Sequence, residues 1–353
     1  MRKLILLVGL LATPDPTTRA LIDSGHYKQA RAILEPRVKA NPNDAESAAL
    51  LARVRLEFGD FDGAVQLAET ATKLDASNAG YHAILAEAVG RSAQHASMFK
   101  QIGMARRYRA EEETALTLDA KNVDAREGLL EYYLNAPSIA GGDRKKADQM
   151  AEDIARIDAA AGYLAKATIL VETKTTGDLE SLYKQAIAAA TTPLTKYRAT
   201  VQLMNVHLAP KTQNLSAAEQ DARALIALDP KRVAGYTGLA IVHAYGNHGA
   251  AIDAALGEAE KAVPDNCSPH YQAGRVLLQS NGDLARAEKY FRKFLTIEPE
   301  AGPNTWAHAH WRLGLVLEKQ GRKREAVGEL EEAVHLRPDL EDAKKDLKRL
   351  RTS

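Results

Sequence analysis

The chain of 353 residues lacks several features that mark common classes of protein. It has one cysteine, Cys267, so neither an internal disulfide nor a multi-cysteine metal site is available. Aromatic residues make up only 5% of the sequence, which disfavours a β-sandwich, because its strands need aromatic and β-branched side chains. The 47 basic residues nearly balance 46 acidic ones, so no long-range field attracts nucleic acid to the whole surface. With alanine recurring throughout, these features predict an all-α protein.

Long apolar runs are absent except at the N-terminus. Arg2 and Lys3 precede an apolar run from Leu4 to Ala12, and a proline-interrupted polar stretch follows. This layout predicts a signal peptide over residues 1–14, with an apolar helix packed on the end of the fold as the alternative. The run is too short to span a bilayer, so we expect no stable membrane insertion after processing. The first interpretation predicts a periplasmic or secreted protein, and the alternative a cytoplasmic one.

Enzyme motifs are absent as well. The sequence has no phosphate-binding glycine loop, no G-x-S-x-G elbow, no H-E-x-x-H and no paired C-x-x-C. His308 and His310 lie two residues apart, and side chains at that spacing point to different sides of a helix, so the pair cannot share an ion. We therefore predict no catalytic residue, no metal and no cofactor, and we expect that the protein is not an enzyme.

An internal repeat is the main positive feature of the sequence. In the segment GDFDGAVQLAETATKLDASN, residues 59–78, Gly59 is followed by Ala64, Ala71 and Ala76. A glycine, two small or apolar positions and a closing proline or alanine recur at similar spacing along the chain. The nine closing positions, 34 to 44 residues apart, are 42, 76, 120, 159, 193, 230, 264, 299 and 338. Such a period is typical of stacked helical hairpins.

Each repeated position has a physical role. A glycine between the two helices of a hairpin allows a left-handed backbone. We expect it at Gly25, Gly59, Gly103, Gly142, Gly282 and Gly321. The small residues that follow let neighbouring helices approach closely, and the closing residue ends the second helix. Because one hairpin alone leaves an apolar face exposed, the hairpins must stack.

At this spacing the chain resembles a tetratricopeptide-repeat protein, over about residues 15–338. The clearest segments are LARVRLEFGDFDGAVQLAETATKLDASN and WRLGLVLEKQGRKREAVGELEEAVHLRPD. The chain also resembles bacterial envelope proteins of this repeat class. The resemblance implies a right-handed α-solenoid of about nine hairpins, with insertions near residues 91–104, 135–142 and 300–304.

The last residues, 339–353, predict a capping helix. Leu340, Ala343, Leu347 and Leu350 fall on one stripe of such a helix, and charged residues occupy the remainder. A helix of this kind can cover the apolar face of the last hairpin while its outer side stays in water.

The resemblance also implies a working surface. In the family, the first helix of each unit faces a concave groove that binds proteins or peptides. We identify the corresponding residues of this chain by counting back from the turn glycine of each unit. The candidate partner-binding residues are Tyr271, Arg275, Trp311, Leu315, Arg53, Glu87 and Glu131. Aromatic residues and arginine are enriched at binding hot spots, which favours Tyr271, Arg275 and Trp311. The alternative is that Tyr271 and Trp311 fill the gaps between adjacent hairpins.

The charges indicate which partners suit this surface. Glu87, Glu127 and Glu131 would repel a peptide that ends in a carboxylate, so a basic or apolar peptide fits better. A local basic cluster, Arg106–Arg109, would suit nucleic acid or lipid headgroups, but Glu111–Glu113 follow it directly. We therefore expect a protein or peptide partner and no nucleic acid.

We interpret the sequence as that of a non-catalytic scaffold or adaptor. One alternative is a subunit of an enzyme assembly, or one that binds a small molecule between the inserted loops near Gln94–Met104 and Ala136–Asp143. A second alternative is a structural spacer. The sequence leaves the identity of the partner and the oligomeric state open.

Overall fold

The computed structural model describes residues 16–174, 177–300 and 306–352. Within these ranges the chain forms nineteen α-helices, one short 3-10 turn and no strand. The predicted signal peptide and nearly all of the predicted insertion near 300–304 lie outside the described residues.

Eighteen of these helices form nine consecutive hairpins. The first helices are α1 (Pro16–Ser24), α3 (Ala45–Glu57), α5 (Ala79–Ala93), α7 (Val123–Asn135), α9 (Ala159–Glu172), α11 (Pro193–Leu208), α13 (Ala234–Tyr245), α15 (Ser268–Gln279) and α17 (Trp306–Lys319). The second helices are α2 (Tyr27–Ala40), α4 (Phe61–Leu74), α6 (Met98–Leu118), α8 (Arg144–Ile157), α10 (Leu179–Ala189), α12 (Leu215–Leu228), α14 (Gly249–Ala262), α16 (Leu284–Phe294) and α18 (Lys323–Leu336). A final helix, α19, spans Glu341–Thr352.

Every helix contacts the next one along the chain, from α1 to α19. The hairpins therefore stack in sequence order, and the prediction of an α-solenoid of about nine hairpins is confirmed. The closing positions of the repeat lie two residues beyond the last residue of α2, α4, α6, α8, α12, α14 and α18. At α10 and α16 the helix ends earlier, so that Pro193 is already the first residue of α11 and Pro299 belongs to the connection after α16.

Polar caps begin many of these helices. The side chains of Asp44, Asp60 and Asn122 accept hydrogen bonds from backbone N–H groups of the first turns of α3, α4 and α7, each at 3.0 Å. Each cap satisfies a backbone donor that has no partner within the helix, a contribution of about 1 kcal/mol. These local signals fix where the helices start.

The turn glycines behave as predicted at three of the six expected positions. Gly25 has φ of 87°, and Gly59 and Gly321 both have φ of 77°, in the left-handed region that side chains disfavour. At Gly142 and Gly282 the prediction is wrong, because the positive φ falls one residue earlier, at Gly141 (102°) and Asn281 (51°). Gly103 was expected in a turn, and this prediction is wrong, because Gly103 lies inside α6. The ten-residue insertion is absorbed by longer helices, and the turn of that hairpin lies between Ala93 and Met98 instead.

The core runs between the hairpins as a chain of apolar clusters. Small residues such as Ala64, Ala68 and Ala71 on α4 are fully buried, which lets adjacent helices approach closely. Towards the C-terminus the core contains larger groups, with Phe291 and Phe294 of α16 almost completely buried. The stack therefore has its bulkiest interior near its last hairpins.

The capping helix α19 covers the last hairpin as the sequence predicts. Leu340, Ala343 and Leu350 are buried, and Leu347 packs against the same core. Arg349 also donates hydrogen bonds to the Glu318 carboxylate of α17. The apolar stripe thus faces the protein, and most of the charged residues face water.

The first hairpin approaches hairpins far along the chain in a way that the sequence did not indicate. His26 Nδ1, at the start of α2, lies 3.0 Å from Oδ2 of Asp265, between α14 and α15. The backbone N–H of Lys28 donates to Oε2 of Glu300 at 3.0 Å, and Arg31 donates to Glu298 at 2.9 Å. The first hairpin therefore touches the seventh and eighth, so the stack curves round on itself. We call this set of contacts the closure contact.

Candidate functional site

The first helices form one continuous surface. Each odd-numbered helix from α1 to α17 contacts the next odd-numbered helix, whereas the described second helices make no comparable contacts among themselves. Elements lie closest together on the concave side of a curved stack, so the first helices line the inside. We call this surface the inner wall.

The N-terminal half of the inner wall carries a series of carboxylates. Glu57 ends α3, Glu87 lies on α5, Glu131 on α7, and Glu172 ends α9. These positions lie on four successive first helices, and the acids influence one another, because Glu57 acts on Glu87 and both Glu87 and Glu172 act on Glu131. The acids therefore share one surface rather than separate faces.

Glu87 occupies the middle of this series. About half of its side chain is exposed (49%), yet the surrounding wall desolvates the carboxylate and raises its pKa above the ordinary value. Arg91 and Arg53 oppose that rise, with Arg91 Nη1 3.7 Å from Glu87 Oε1, while the charge of Glu57 adds to it. A raised pKa at an accessible acid means that a cation from outside would be favourable there.

Two further acids extend the series on α7. Desolvation raises the pKa of Glu127 to about 7, with Asp124 adding to the shift and Arg198 opposing it. Desolvation also raises the pKa of Glu131, which is exposed, and the charges of Glu172 and Glu87 add to that rise. Desolvation and mutual repulsion thus act together along this stretch.

Behind the wall, a buried acid joins α6 to α7. Glu112 is 3% exposed, hydrogen-bonds Tyr108, and leaves Oε2 without a partner among the described residues. Burial raises its pKa to about 9, so at neutral pH it is a neutral carboxylic acid. A Cβ on Gly128 would lie 2.2 Å from Glu112 Oε1, so the glycine makes room for this acid between the helices.

The candidate residues from the N-terminal half lie on the inner wall. Arg53 is half-buried, with Nη2 3.3 Å from Oδ1 of Asp23, and it acts electrostatically on Glu87. The structure thereby brings Arg53, Glu87 and Glu131 into one neighbourhood, and their role in partner binding stays a prediction. The sequence analysis missed Glu57 and Glu172, although a glutamate in the C-terminal half of four successive first helices was a usable signal.

The candidates from the C-terminal half are placed differently. Tyr271 is only 3% exposed, and its ring lies 5.2 Å from that of Phe294, so it is not an exposed groove residue. The position of Tyr271 agrees with the alternative interpretation, in which the ring fills the gap between adjacent hairpins. The Trp311 indole N–H donates to Oδ2 of Asp346 on α19 at 2.8 Å, so the capping helix already binds part of that side chain. Both aromatic side chains are less accessible than predicted because they pack into the large apolar core of this region.

Arg275 and Leu315 are half-buried on α15 and α17. Arg275 donates to the side-chain oxygens of Gln272 at 2.7 Å and Gln279 at 2.9 Å, so it lies along its own helix. Leu315 packs against the C-terminal core cluster. Both side chains remain partly accessible, and their contact with a partner stays a prediction.

The described residues offer little for a metal or a small molecule. No group of three or more His, Cys, Asp or Glu side chains among them is arranged to hold a metal ion. The two best-formed surface cavities, of about 500 and 380 Å³, are lined by α10 and by α10 to α12 rather than by the inserted loops. Cys267 is buried, and desolvation raises the pKa of its thiol, which disfavours the nucleophilic thiolate. None of the helices in the described ranges is long and apolar enough to cross a bilayer.

The fold and its inner wall define an α-solenoid of the helical-repeat class. Comparison with protein families matches residues 19–88 and residues 271–341 to tetratricopeptide-repeat models. Both segments of the chain therefore carry tetratricopeptide repeats. Repeats of this kind generally serve as non-catalytic scaffolds that bind proteins or peptides.

Comparison with solved structures finds several similar proteins. Tom70 from yeast is 14% identical, with a TM-score of 0.50 over 95% of this chain and 80% of the other. A tetratricopeptide-repeat protein from Parabacteroides merdae is 16% identical, with a TM-score of 0.41 over 87% of this chain and 98% of the other. A thermophilic one from Thermus thermophilus is 19% identical, with a TM-score of 0.36 over 62% and 91%. No curated protein matches the sequence.

Proposed function

We propose that this protein is a scaffold that docks a basic segment of a protein or peptide on the N-terminal half of its inner wall. The observation that carries the proposal is the series Glu57, Glu87, Glu131 and Glu172 on four successive first helices. Curvature sets these carboxylates along one concave path, and an extended chain can follow such a path. Lysine or arginine side chains would offset the desolvation that raises the pKa of Glu87 and Glu131, and the smaller repulsion from neighbouring acids that adds to it.

A binding titration with defined peptides tests this function. The probe is a fluorescent peptide of alternating lysine and serine, and the comparison is the same peptide with glutamate in place of lysine. The lysine peptide should bind and the glutamate peptide should not, with binding that weakens as salt rises because exposed charges are screened. Replacing both Glu87 and Glu131 by glutamine should weaken binding by about tenfold, as expected for two partly exposed charges at a docking surface.

A matched control distinguishes binding at the inner wall from a general attraction between the basic peptide and acidic residues elsewhere. Glu152 on α8 and Glu332 on α18 are exposed acids of second helices, outside the inner wall. The double substitution Glu152→Gln, Glu332→Gln makes the same change in net charge and should leave binding unchanged. Equal losses in the two double variants would contradict the proposed site. If the inner-wall variant binds the peptide as wild type does, the result would instead favour a structural spacer.

We also propose that the protein is exported to the envelope of a bacterial cell. The support is the N-terminal pattern of Arg2 and Lys3 followed by the apolar run from Leu4 to Ala12. A fusion of the full chain to alkaline phosphatase, which is active only after export, tests this. Phosphatase activity is expected, and its loss is expected when Leu6 and Leu7 are replaced by arginine. An inactive fusion would favour the cytoplasmic alternative.

A further inference from the structure

Helix α6 is the longest in the described chain and differs from its counterparts. It has 21 residues, whereas the second helices α2, α4, α8, α12, α14 and α18 have 14 each. The seven extra residues add about 10 Å of helix at 1.5 Å per residue. They lie at the N-terminal end, since the position of the usual turn glycine, Gly103, falls inside the helix. We call residues 98–106 the α6 tip.

The α6 tip exposes large apolar side chains. Phe99 is 92% exposed and Met98 is 75% exposed. Ile139, in the inserted 3-10 turn that contacts α6, is 78% exposed. Elsewhere in the described chain no large apolar side chain exceeds the 49% of Val171. The three most exposed apolar side chains therefore all belong to the two insertions.

The surroundings of these side chains are basic. From Gly90 to Ala110 the sequence contains five lysine or arginine residues and no acid. Arg91, Arg107 and Arg109 pair with glutamates of the protein, but Lys100 and Arg106 are exposed, and no carboxylate of the described residues forms an ion pair with either.

Phe99 and Arg106 also share the outward face of α6. They are seven residues apart, which is close to two full turns, so both side chains point to the same side. Gly103 lies between them, and a Cβ built on it would meet nothing within 4 Å, so this side faces open space. The tip thus presents an apolar end with cations directly beside it.

We propose that the α6 tip docks reversibly on a membrane surface that contains anionic lipid. Met98 and Phe99 enter the headgroup region, and Lys100 and Arg106 contact lipid phosphates. The charge complementarity selects an anionic surface, because cations next to a bilayer gain from its negative potential. The high exposure of Met98 and Phe99 and the small number of apolar side chains fit shallow interfacial binding better than a protein interface, which needs about 800 Å² on each partner.

Vesicle co-sedimentation of the full chain tests the proposal. Wild-type protein should bind vesicles that contain phosphatidylglycerol and bind vesicles of phosphatidylcholine alone far more weakly. Phe99→Glu should lower the partition coefficient at least tenfold, because it places a charge at the apolar end. The double variant Lys100→Gln, Arg106→Gln should lower binding to the anionic vesicles by about tenfold, and added salt should weaken wild-type binding in parallel.

A control at the other end of the same helix tests whether an added negative charge anywhere on α6 would weaken vesicle binding. Leu118, the last residue of α6, is 42% exposed, and Leu118→Glu should leave vesicle binding unchanged. Circular dichroism should show native helix content in each variant, since the altered residues are exposed. Absence of binding to anionic vesicles, or equal binding by wild type and Phe99→Glu, would overturn the proposal. Self-association that Phe99→Glu abolishes, without vesicle binding, would assign the tip to a protein contact and overturn it as well. The result does not depend on the inner wall, so the two proposals fail independently.

Discussion

At the scale of single residues, the backbone of the turns is the clearest case of sequence dictating structure. Gly321, between α17 and α18, has φ of 77°, and a Cβ built on it would meet no atom within 4 Å. A side chain there is therefore opposed by the backbone conformation alone, not by crowding. Gly328, seven residues later on the same hairpin, is also open but lies inside α18.

This pair gives opposite expectations for the same substitution. Gly321→Ala should destabilise the last hairpin by about 1 kcal/mol, because alanine disfavours the left-handed region. Gly328→Ala should stabilise it by about 0.5 to 1 kcal/mol, because alanine is the better helix former. Hydrogen exchange of α17 and α18 amides reports the local stability. Changes of the same sign in both variants would contradict the assignment of the turn.

Residue-level reasoning fails where packing decides. Tyr271 carries the right chemistry for a binding anchor, but its position is set by Gly274, one turn later. The Phe291 ring packs directly on this glycine, so that a Cβ built on Gly274 would lie 3.1 Å from the ring. That close approach leaves the Tyr271 ring beside Phe291, with centroids 5.7 Å apart. A register counted from turn glycines does not contain this information, because it depends on how two hairpins fit together.

At the scale of elements, helix boundaries follow from local signals, and helix lengths in the insertions do not. Asp44 and Asp60 begin helices, and Pro42 and Pro338 follow the ends of others, all readable from the sequence. The expected turn at Gly103 is wrong because the inserted segment is compatible with helix. An insertion can form a loop or lengthen helices, and the choice depends on contacts with neighbouring helices.

The capping helix α19 gives the prediction at this scale. Leu350 is 2% exposed within the C-terminal core, and Leu350→Ala should cost about 2 kcal/mol, the lower end for buried leucine because the site lies near a chain end that can relax. The loss should appear as faster amide exchange in α17 and α18, which α19 covers. Lys348→Ala, at an exposed position of the same helix, should have almost no effect. Unchanged protection in Leu350→Ala would show that α19 is not a cap.

At the scale of the whole molecule, the closure contact joins hairpins more than 200 residues apart in sequence. It depends on the rotation accumulated over seven hairpins, so no local pattern could have predicted it. The two ring nitrogens of His26 face two acceptors, Oδ2 of Asp265 at 3.0 Å and the carbonyl of Lys231 at 2.9 Å. Both nitrogens can donate only when the imidazole is protonated.

The charges around this contact make it sensitive to pH. The hydrogen bond to Asp265 raises the pKa of His26, and the pKa of Asp265 falls to about 2, so Asp265 stays charged. Desolvation raises the pKa of Glu300 to about 7, although the Lys28 backbone N–H opposes the rise. Near neutral pH the closed form therefore holds more protons than an open form. The closed form is most stable below the ordinary pKa values of Glu300 and His26. This stabilisation is lost as the pH rises through the raised pKa values of the two groups.

Distance measurements across the closure contact test this pH dependence. Spin labels at the exposed positions Ala32 of α2 and Lys261 of α14, each a few residues from the contact, should show a short-distance population that decreases between about pH 5 and about pH 8. Glu300→Gln should remove the Glu300 contribution and His26→Gln that of His26, so each makes the transition shallower. His335→Gln, on α18 and outside the closure contact, should leave it unchanged. A distance distribution independent of pH would contradict the assignment of His26 and Glu300.

The position of a bound basic peptide on the protein tests directly whether the inner wall is the docking surface. A lysine–serine peptide carrying a photoreactive group, cross-linked to the full chain and mapped by mass spectrometry, reports which helices it touches. We predict cross-links on α3, α5, α7 and α9, the first helices that carry Glu57, Glu87, Glu131 and Glu172. Cross-links concentrated on the second helices, or spread evenly over the chain, would contradict the claim that the inner wall is the docking surface.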